Sequence, residues 1–335
     1  MKTKIIFLLI ILTPFIGFSD KNDNVLEKAG EIPDGIVKQE EDGCIIEWAY
    51  KNGHKKGISK RYNSNGKLIM EGEYVGGKLN GLTKIYYDDG ELKKELNYKD
   101  NKPEGVSKGY FRNGKLEVQA EYKYGYLHGL AIIYLENGEI KSEQTYKRNE
   151  LNGMTKEYKN GKLWKECNYK SNKLNGLTKE YNTDDGRLVC EWSYKNDKLD
   201  GVSKTYGEDG KLKEDINYFN NKKNGYTKEY EKDGRVKAHW NYMDGVREGK
   251  SMEYYDTGEV EYEYCYEHDK KSGISQEYGK DGVLLSEWNY LDDKLNGLSR
   301  HYYKGGKVKH EYLYENGVLK EKRKYNLQGQ AVKED

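Results

Sequence analysis

Titratable and nucleophilic residues are plentiful in this chain, yet none falls into a recognisable reactive set. The six histidines, His54, His128, His239, His268, His301 and His310, are scattered and show no His-Glu-x-x-His or other metal-ligand spacing. No Ser–His–Asp arrangement, Gly-rich phosphate loop, or His-Arg-Asp or Asp-Phe-Gly triplet is present. A column of acids recurs through the chain at Glu71, Glu95, Glu143, Glu166, Glu191, Asp215, Glu263, Glu287 and Glu311. Its members stand beside lysines and hydroxyl residues, which fits a solvated face better than a carboxylate dyad or a calcium ladder. No catalytic residue, cofactor or metal is therefore expected. The arrangement with chemical potential is aromatic: Trp192, Trp240 and Trp288 recur every 48 residues among regularly spaced tyrosines. Such rings either pack on one another as a core or stack on a sugar, a peptide or another protein. The candidate aromatic face comprises Trp192, Trp240, Trp288, Tyr206, Tyr230, Tyr254, Tyr264 and Tyr312.

The element that must position these rings is a repeat. Glycines open eleven units at Gly57, Gly81, Gly105, Gly129, Gly153, Gly176, Gly201, Gly225, Gly249, Gly273 and Gly297. The spacing is 24 residues, apart from one interval of 23 and one of 25. A fixed period of this length marks a repeat array, which supplies an extended surface rather than a catalytic pocket. Within one unit, Leu82, Lys84 and Tyr86 alternate with Thr83 and Ile85, the period of a strand. Asp88-Asp89-Gly90 is a turn signal, and Leu92, Lys94, Leu96 and Tyr98 alternate again. Each unit is thus a β-hairpin, and the expected fold is all-β: an elongated single-layer antiparallel sheet of about eleven to twelve hairpins. One hairpin alone is marginal in water, so neighbours must bury its apolar strip.

Two tyrosine columns run through the units, from Tyr62 to Tyr302 and from Tyr74 to Tyr314. Simple alternation places both columns, the aliphatic residue six before the second tyrosine and the residue two before it on one face. The acid column then lies on the other. If Tyr62 pairs with Leu68, Ser59 is expected to face Glu71.

Charged residues make up 34% of the chain and hydrophobic residues 35%, with a net charge of +1. This balance lacks the basic footprint of a nucleic-acid binder. Disorder is set aside because 33 tyrosines in strict register are not low-complexity filler. Lys2 and Lys4 precede an apolar run from Ile5 to Phe18, which reads as a secretory signal peptide over residues 1–19. No second apolar run follows, so no transmembrane segment is expected in the mature chain, which is read as exported to the periplasm, the cell surface or the medium. Residues 20–56 read as a degenerate repeat or cap, 57–314 as the eleven hairpins, and 315–335 as a cap strand with a charged tail. Cys167 and Cys190 sit on adjacent hairpins about 9.6 Å apart, beyond the ~7 Å Cα reach of a disulfide. Cys44 is several units away and Cys265 points to the polar face, so no intrachain disulfide is expected. Cys44, Cys167 and Cys190 are read as filling aliphatic slots.

Units such as Tyr74-Val-Gly-Gly-Lys-Leu-Asn-Gly81 and Tyr314-Glu-Asn-Gly-Val resemble the MORN repeat with its Tyr-x-x-Gly-Lys-x-x-Gly core. The period and the Asp/Asn-Gly-Lys-Leu turn are closer to the bacterial variant found in YwqK-like antitoxin proteins. The resemblance covers about residues 35–330 and implies a hairpin array engaged in protein or membrane association. The expected function is an exported, non-catalytic scaffold with a protein partner or self-association. A glycan-binding module for envelope polysaccharide, and an antitoxin-like or immunity partner of a toxin, are the alternatives.

Overall fold

The computed structural model describes residues 34–332. The segment expected to be a signal peptide, the first part of the expected cap and the end of the tail lie outside them. Among the described residues there is no helix; the chain is a succession of antiparallel strands. It divides into two compact units, Met1–Lys173 and Leu174–Asp335.

Each unit is built from the hairpin that the glycine register announces. Lys78–Tyr86 pairs with Leu92–Lys99, with Gly81 opposite Tyr98, Thr83 opposite Leu96 and Lys84 opposite Glu95. The turn between them closes through Gly90 N–H to the Tyr87 carbonyl at 2.9 Å and through Glu91 N–H to Asp89 Oδ1 at 3.1 Å. Gly90 has a φ of +99°, which disfavours any side chain there. The turn to the next hairpin is of the mirror-image kind, with Asp100 at φ 48° and Asn101 at φ 64°.

One irregularity recurs in every hairpin and overturns the expected face assignment. Tyr86 pairs with Leu92 but Ile85 pairs with Lys94, leaving Lys93 as an extra residue, a β-bulge. The same shift separates Arg61 from Tyr62, Thr205 from Tyr206, Glu229 from Tyr230 and Glu253 from Tyr254. One inserted residue reverses the side-chain alternation. The first tyrosine column and its aliphatic partner therefore lie on the face of the acid column, opposite the second tyrosine column. The expected Ser59–Glu71 pair is corrected for the same reason: Ser59 lies opposite Gly72, and Lys60 faces Glu71.

The face carrying the second tyrosines holds the core. In the first unit Ile46, Trp48, Met70, Tyr74, Leu79, Leu96, Tyr98, Val118 and Leu127 are buried together. The Ser/Thr column belongs to this face and is 0–3% exposed at Ser59, Thr83, Ser107, Thr155, Thr178, Ser203, Thr227, Ser251, Ser275 and Ser299. Several of these hydroxyls replace a missing ladder bond: Ser59 accepts from Ala49 N–H at 3.2 Å and Ser251 from Asn241 N–H at 3.1 Å. In the second unit the buried apolar residues on this face are Cys190, Ile216, Ala238 and Tyr266, while Trp192, Trp240, Tyr264 and Trp288 are half-buried. Cys167 is buried on the same face, opposite Thr155, whereas Cys265 lies opposite Lys250 on the other.

Candidate binding faces

The acid-bearing face is an ordered ladder. Strand pairing places Lys60 between Glu47 and Glu71, Lys84 between Glu71 and Glu95, and Lys204 between Glu191 and Asp215. Lys179 Nζ reaches Glu191 at 3.3 Å and Arg300 Nε reaches Glu311 at 3.0 Å. Most first-column tyrosines then donate diagonally to the acid fifteen residues earlier, whereas Tyr278 donates to Gln276 at 2.8 Å. Tyr86 donates to Glu71 at 2.8 Å, Tyr110 to Glu95 at 2.7 Å, Tyr206 to Glu191 at 3.0 Å, Tyr230 to Asp215 at 2.8 Å and Tyr302 to Glu287 at 2.6 Å. Burial, followed by that bond to a carboxylate, pushes the Tyr86, Tyr110, Tyr206, Tyr230 and Tyr302 phenols up to about 12. His239 stands in place of the acid under Tyr254, with Nδ1 3.2 Å from the hydroxyl, and burial holds its imidazole below its ordinary value.

Beside this ladder runs a row absent from the expectations. The residue after each opening glycine is exposed and mostly aliphatic: Ile58, Leu82, Val106, Leu130 and Met154 in the first unit. In the second it is Leu177, Val202, Tyr226, Ile274 and Leu298, with Lys250 as the charged exception. Exposure of the apolar members ranges from 36% to 58%. Their cross-strand neighbours are mostly small or polar, as in Leu82 opposite Asn97 and Val202 opposite Asn217, with Leu298 opposite Leu313 the exception. The signal was in the sequence, since each residue sits one place after an invariant glycine of the register. Simple alternation concealed it by placing Leu82 with Tyr86 on the same apolar face as Tyr98.

The candidate aromatic residues are divided by the bulge. Trp192, Trp240, Trp288, Tyr264 and Tyr312 share the core face, whereas Tyr206, Tyr230 and Tyr254 belong to the ladder face. On the core face of the second unit the rings lie within a polar frame. Trp240 stacks with Tyr264, with centroids 6.4 Å apart and planes at 13°. Trp240 Nε1 donates to Glu229 at 2.9 Å, and Tyr264 donates to Glu253 at 3.2 Å. From the other side Lys271 Nζ stands 4.1 Å from the Tyr264 centroid, and the Arg247 guanidinium 4.4 Å from that of Tyr266. At the Glu229, Glu253 and Glu277 positions, the first unit has Arg61, Ile85, Gly109, Ile133 and Glu157, so no run of acids forms there. At the Arg247 and Lys271 positions it has Lys55, whose Nζ stands 3.6 Å from the Trp48 centroid, and then Leu79, Pro103, Leu127 and Leu151.

Among the described residues no group of three or more His, Cys, Asp or Glu could hold a metal ion. No helix among them is long and apolar enough to cross a membrane.

Solved structures similar to this chain include the Photorhabdus luminescens Tc holotoxin pore, at 12% identity and a TM-score of 0.18, over 88% of this chain and 17% of that one. The TcdB2-TccC3-Cdc42 complex matches at 12% identity and a TM-score of 0.19, over 86% of this chain and 18% of that one. This chain spans less than a fifth of the length of either, and a superposition at that level bears on neither fold nor function. Among curated proteins none matches the chain. The family model described as the MORN repeat variant matches eight times, at residues 55–75, 79–100, 103–124, 127–148, 154–171, 199–220, 247–268 and 295–316. The chain belongs to the MORN repeat family in this variant form, a family that is generally a non-enzymatic repeat scaffold.

Proposed function

We propose that the chain is an exported, non-catalytic scaffold that binds a protein partner through the aliphatic row of its ladder face. The observation that carries this reading is the row itself: Ile58, Leu82, Val106, Leu130 and Met154, exposed at one fixed position of successive hairpins. A stable sheet gains nothing from apolar groups in water, and a regular exposed row of them marks an interaction surface. The neighbouring Lys/Glu ladder and the amides opposite the row suit a mixed polar and apolar protein interface. Export rests on Lys2, Lys4 and the apolar run Ile5 to Phe18.

The test is crosslinking capture from envelope extracts with the full chain and with a Leu82→Lys/Val106→Lys/Leu130→Lys variant. Loss of the captured protein by the variant, with its circular dichroism unchanged, supports the reading. Equal capture by both proteins, or export of neither, contradicts it.

A further inference from the structure

On the opposite face of the second unit, three successive hairpins repeat one set of side chains. Glu229, Glu253 and Glu277 form one row, Trp240, Tyr264 and Trp288 the next, and Arg247 and Lys271 border the strip with Lys223. These rings are half-buried, whereas Trp48 and Leu96 in the first unit are buried. Glu229 also lies directly opposite Glu214, a like-charge pair that a purely structural face would avoid.

We propose that this strip is a docking surface for an extended, proline-rich, basic segment of a protein partner. The argument is one of period and charge. Successive hairpins are two strand spacings apart, about 9.6 Å. A polyproline II helix turns once every three residues, or about 9.3 Å. One carboxylate therefore meets each turn of the ligand, and three hairpins accumulate well under 1 Å of mismatch. A fully extended peptide advances about 6.7 Å per two residues and falls out of step. The carboxylate row is the registering element, because the Trp240 and Tyr264 rings lean to within 6.4 Å. Proline rings lie on the aromatic row, which is how grooves lined with aromatic residues receive such helices. A lysine or arginine at every third ligand position meets Glu229, Glu253 and Glu277. The polyproline II backbone has no internal hydrogen bonds, so its carbonyls accept from Arg247 and Lys271 at the border. This surface is separate from the aliphatic row, and the inference does not depend on it.

The experiment is titration of the full chain with a synthetic peptide of repeated Pro-Pro-Arg, followed by fluorescence anisotropy at moderate salt. Binding is expected, with about tenfold weakening in Glu229→Gln/Glu253→Gln/Glu277→Gln and no change in the Leu82→Lys/Val106→Lys/Leu130→Lys variant. A Pro-Pro-Glu repeat is expected not to bind, and a Gly-Ser-Arg repeat to bind far more weakly. Equal binding of Gly-Ser-Arg reduces the strip to bulk charge and overturns the proposal. So do binding of a β-1,4-linked oligosaccharide in place of the peptide, unchanged affinity in the glutamine variant, and absence of peptide binding. Circular dichroism of the glutamine variant, isosteric at all three sites, separates loss of binding from loss of fold.

Discussion

Asn149 holds Leu127 by both of its backbone groups. The Leu127 N–H donates to Asn149 Oδ1 at 2.7 Å, and the Asn149 N–H donates to the Leu127 carbonyl at 2.9 Å. The two residues stand 22 apart, so the turn that ends one hairpin clasps the edge of the previous one. Asn101 clasps Leu79, Asn172 clasps Leu151 and Asp293 clasps Lys271 in the same way. Asn149 has a φ of 67°, a conformation that asparagine tolerates better than alanine. Asn149→Ala is expected to destabilise the chain by about 2 kcal/mol, from one lost hydrogen bond and left-handed strain. Asn149→Gly, which keeps the conformation, should cost roughly half as much. Urea unfolding of both variants checks the order; equal costs would refute the conformational share.

The tyrosine ladder sets a limit on stability at high pH. Tyr86, Tyr110, Tyr206, Tyr230 and Tyr302 sit at about 12, above the ordinary phenol value of 10. A raised value means that the fold favours the protonated phenol. This contribution is full below pH 10 and is lost as pH rises from 10 through 12, where the unfolded chain releases protons first. Stability should fall steeply in that window, measured by denaturant midpoint against pH. A flat profile would mean that these phenols are neither buried nor bonded to the acids.

The buried hydroxyl column makes two opposite expectations. Ser251 accepts from the Asn241 N–H, so Ser251→Ala should cost about 1 kcal/mol. The Thr227 hydroxyl is buried without a hydrogen-bond partner, so Thr227→Val should be neutral or stabilising by up to about 1 kcal/mol. Thermal melts should place Ser251→Ala below the parent chain and Thr227→Val at or above it. Equal losses would indicate that Thr227 has a bonding role.

The hairpin was legible because glycine, turn and alternating strand recur in register from Gly57 to Tyr314. The faces were not. The inserted residue is Ile69, Lys93, Glu117, Lys141 or Trp164 in successive hairpins, and these share no chemistry that would announce a bulge. A count by twos across it puts Tyr62 beside Tyr74, whereas the strands put Tyr62 beside Glu47 at 3.0 Å. The aliphatic row was visible as single residues after each glycine, but only the pairing shows that Leu82 points away from Thr83 and into solvent. Gly72 is a further case: it occupies the slot held by Trp192 and Trp240 elsewhere, and a Cβ there would lie 2.9 Å from Leu79 Cδ2. The space is filled from the next strand, which no single unit of sequence reveals.

Coupling within the ladder can be read directly. A double-mutant cycle of Tyr86→Phe and Glu71→Gln should return about 1 kcal/mol at neutral pH, as befits a partly exposed bond to a carboxylate. The cycle of Tyr98→Phe with Glu71→Gln, whose members lie on opposite faces, should return nothing within error.

Thiol accessibility tests the separation of the two tyrosine columns most directly. In a chain with Cys44, Cys167, Cys190 and Cys265 replaced by alanine, single cysteines at positions 82, 83, 86 and 98 are reacted with a maleimide. Positions 82 and 86, on the ladder face, should label readily, and positions 83 and 98, on the core face, should be protected. Equal labelling of positions 86 and 98, with 83 as open as 82, would place both columns on one face and contradict the account.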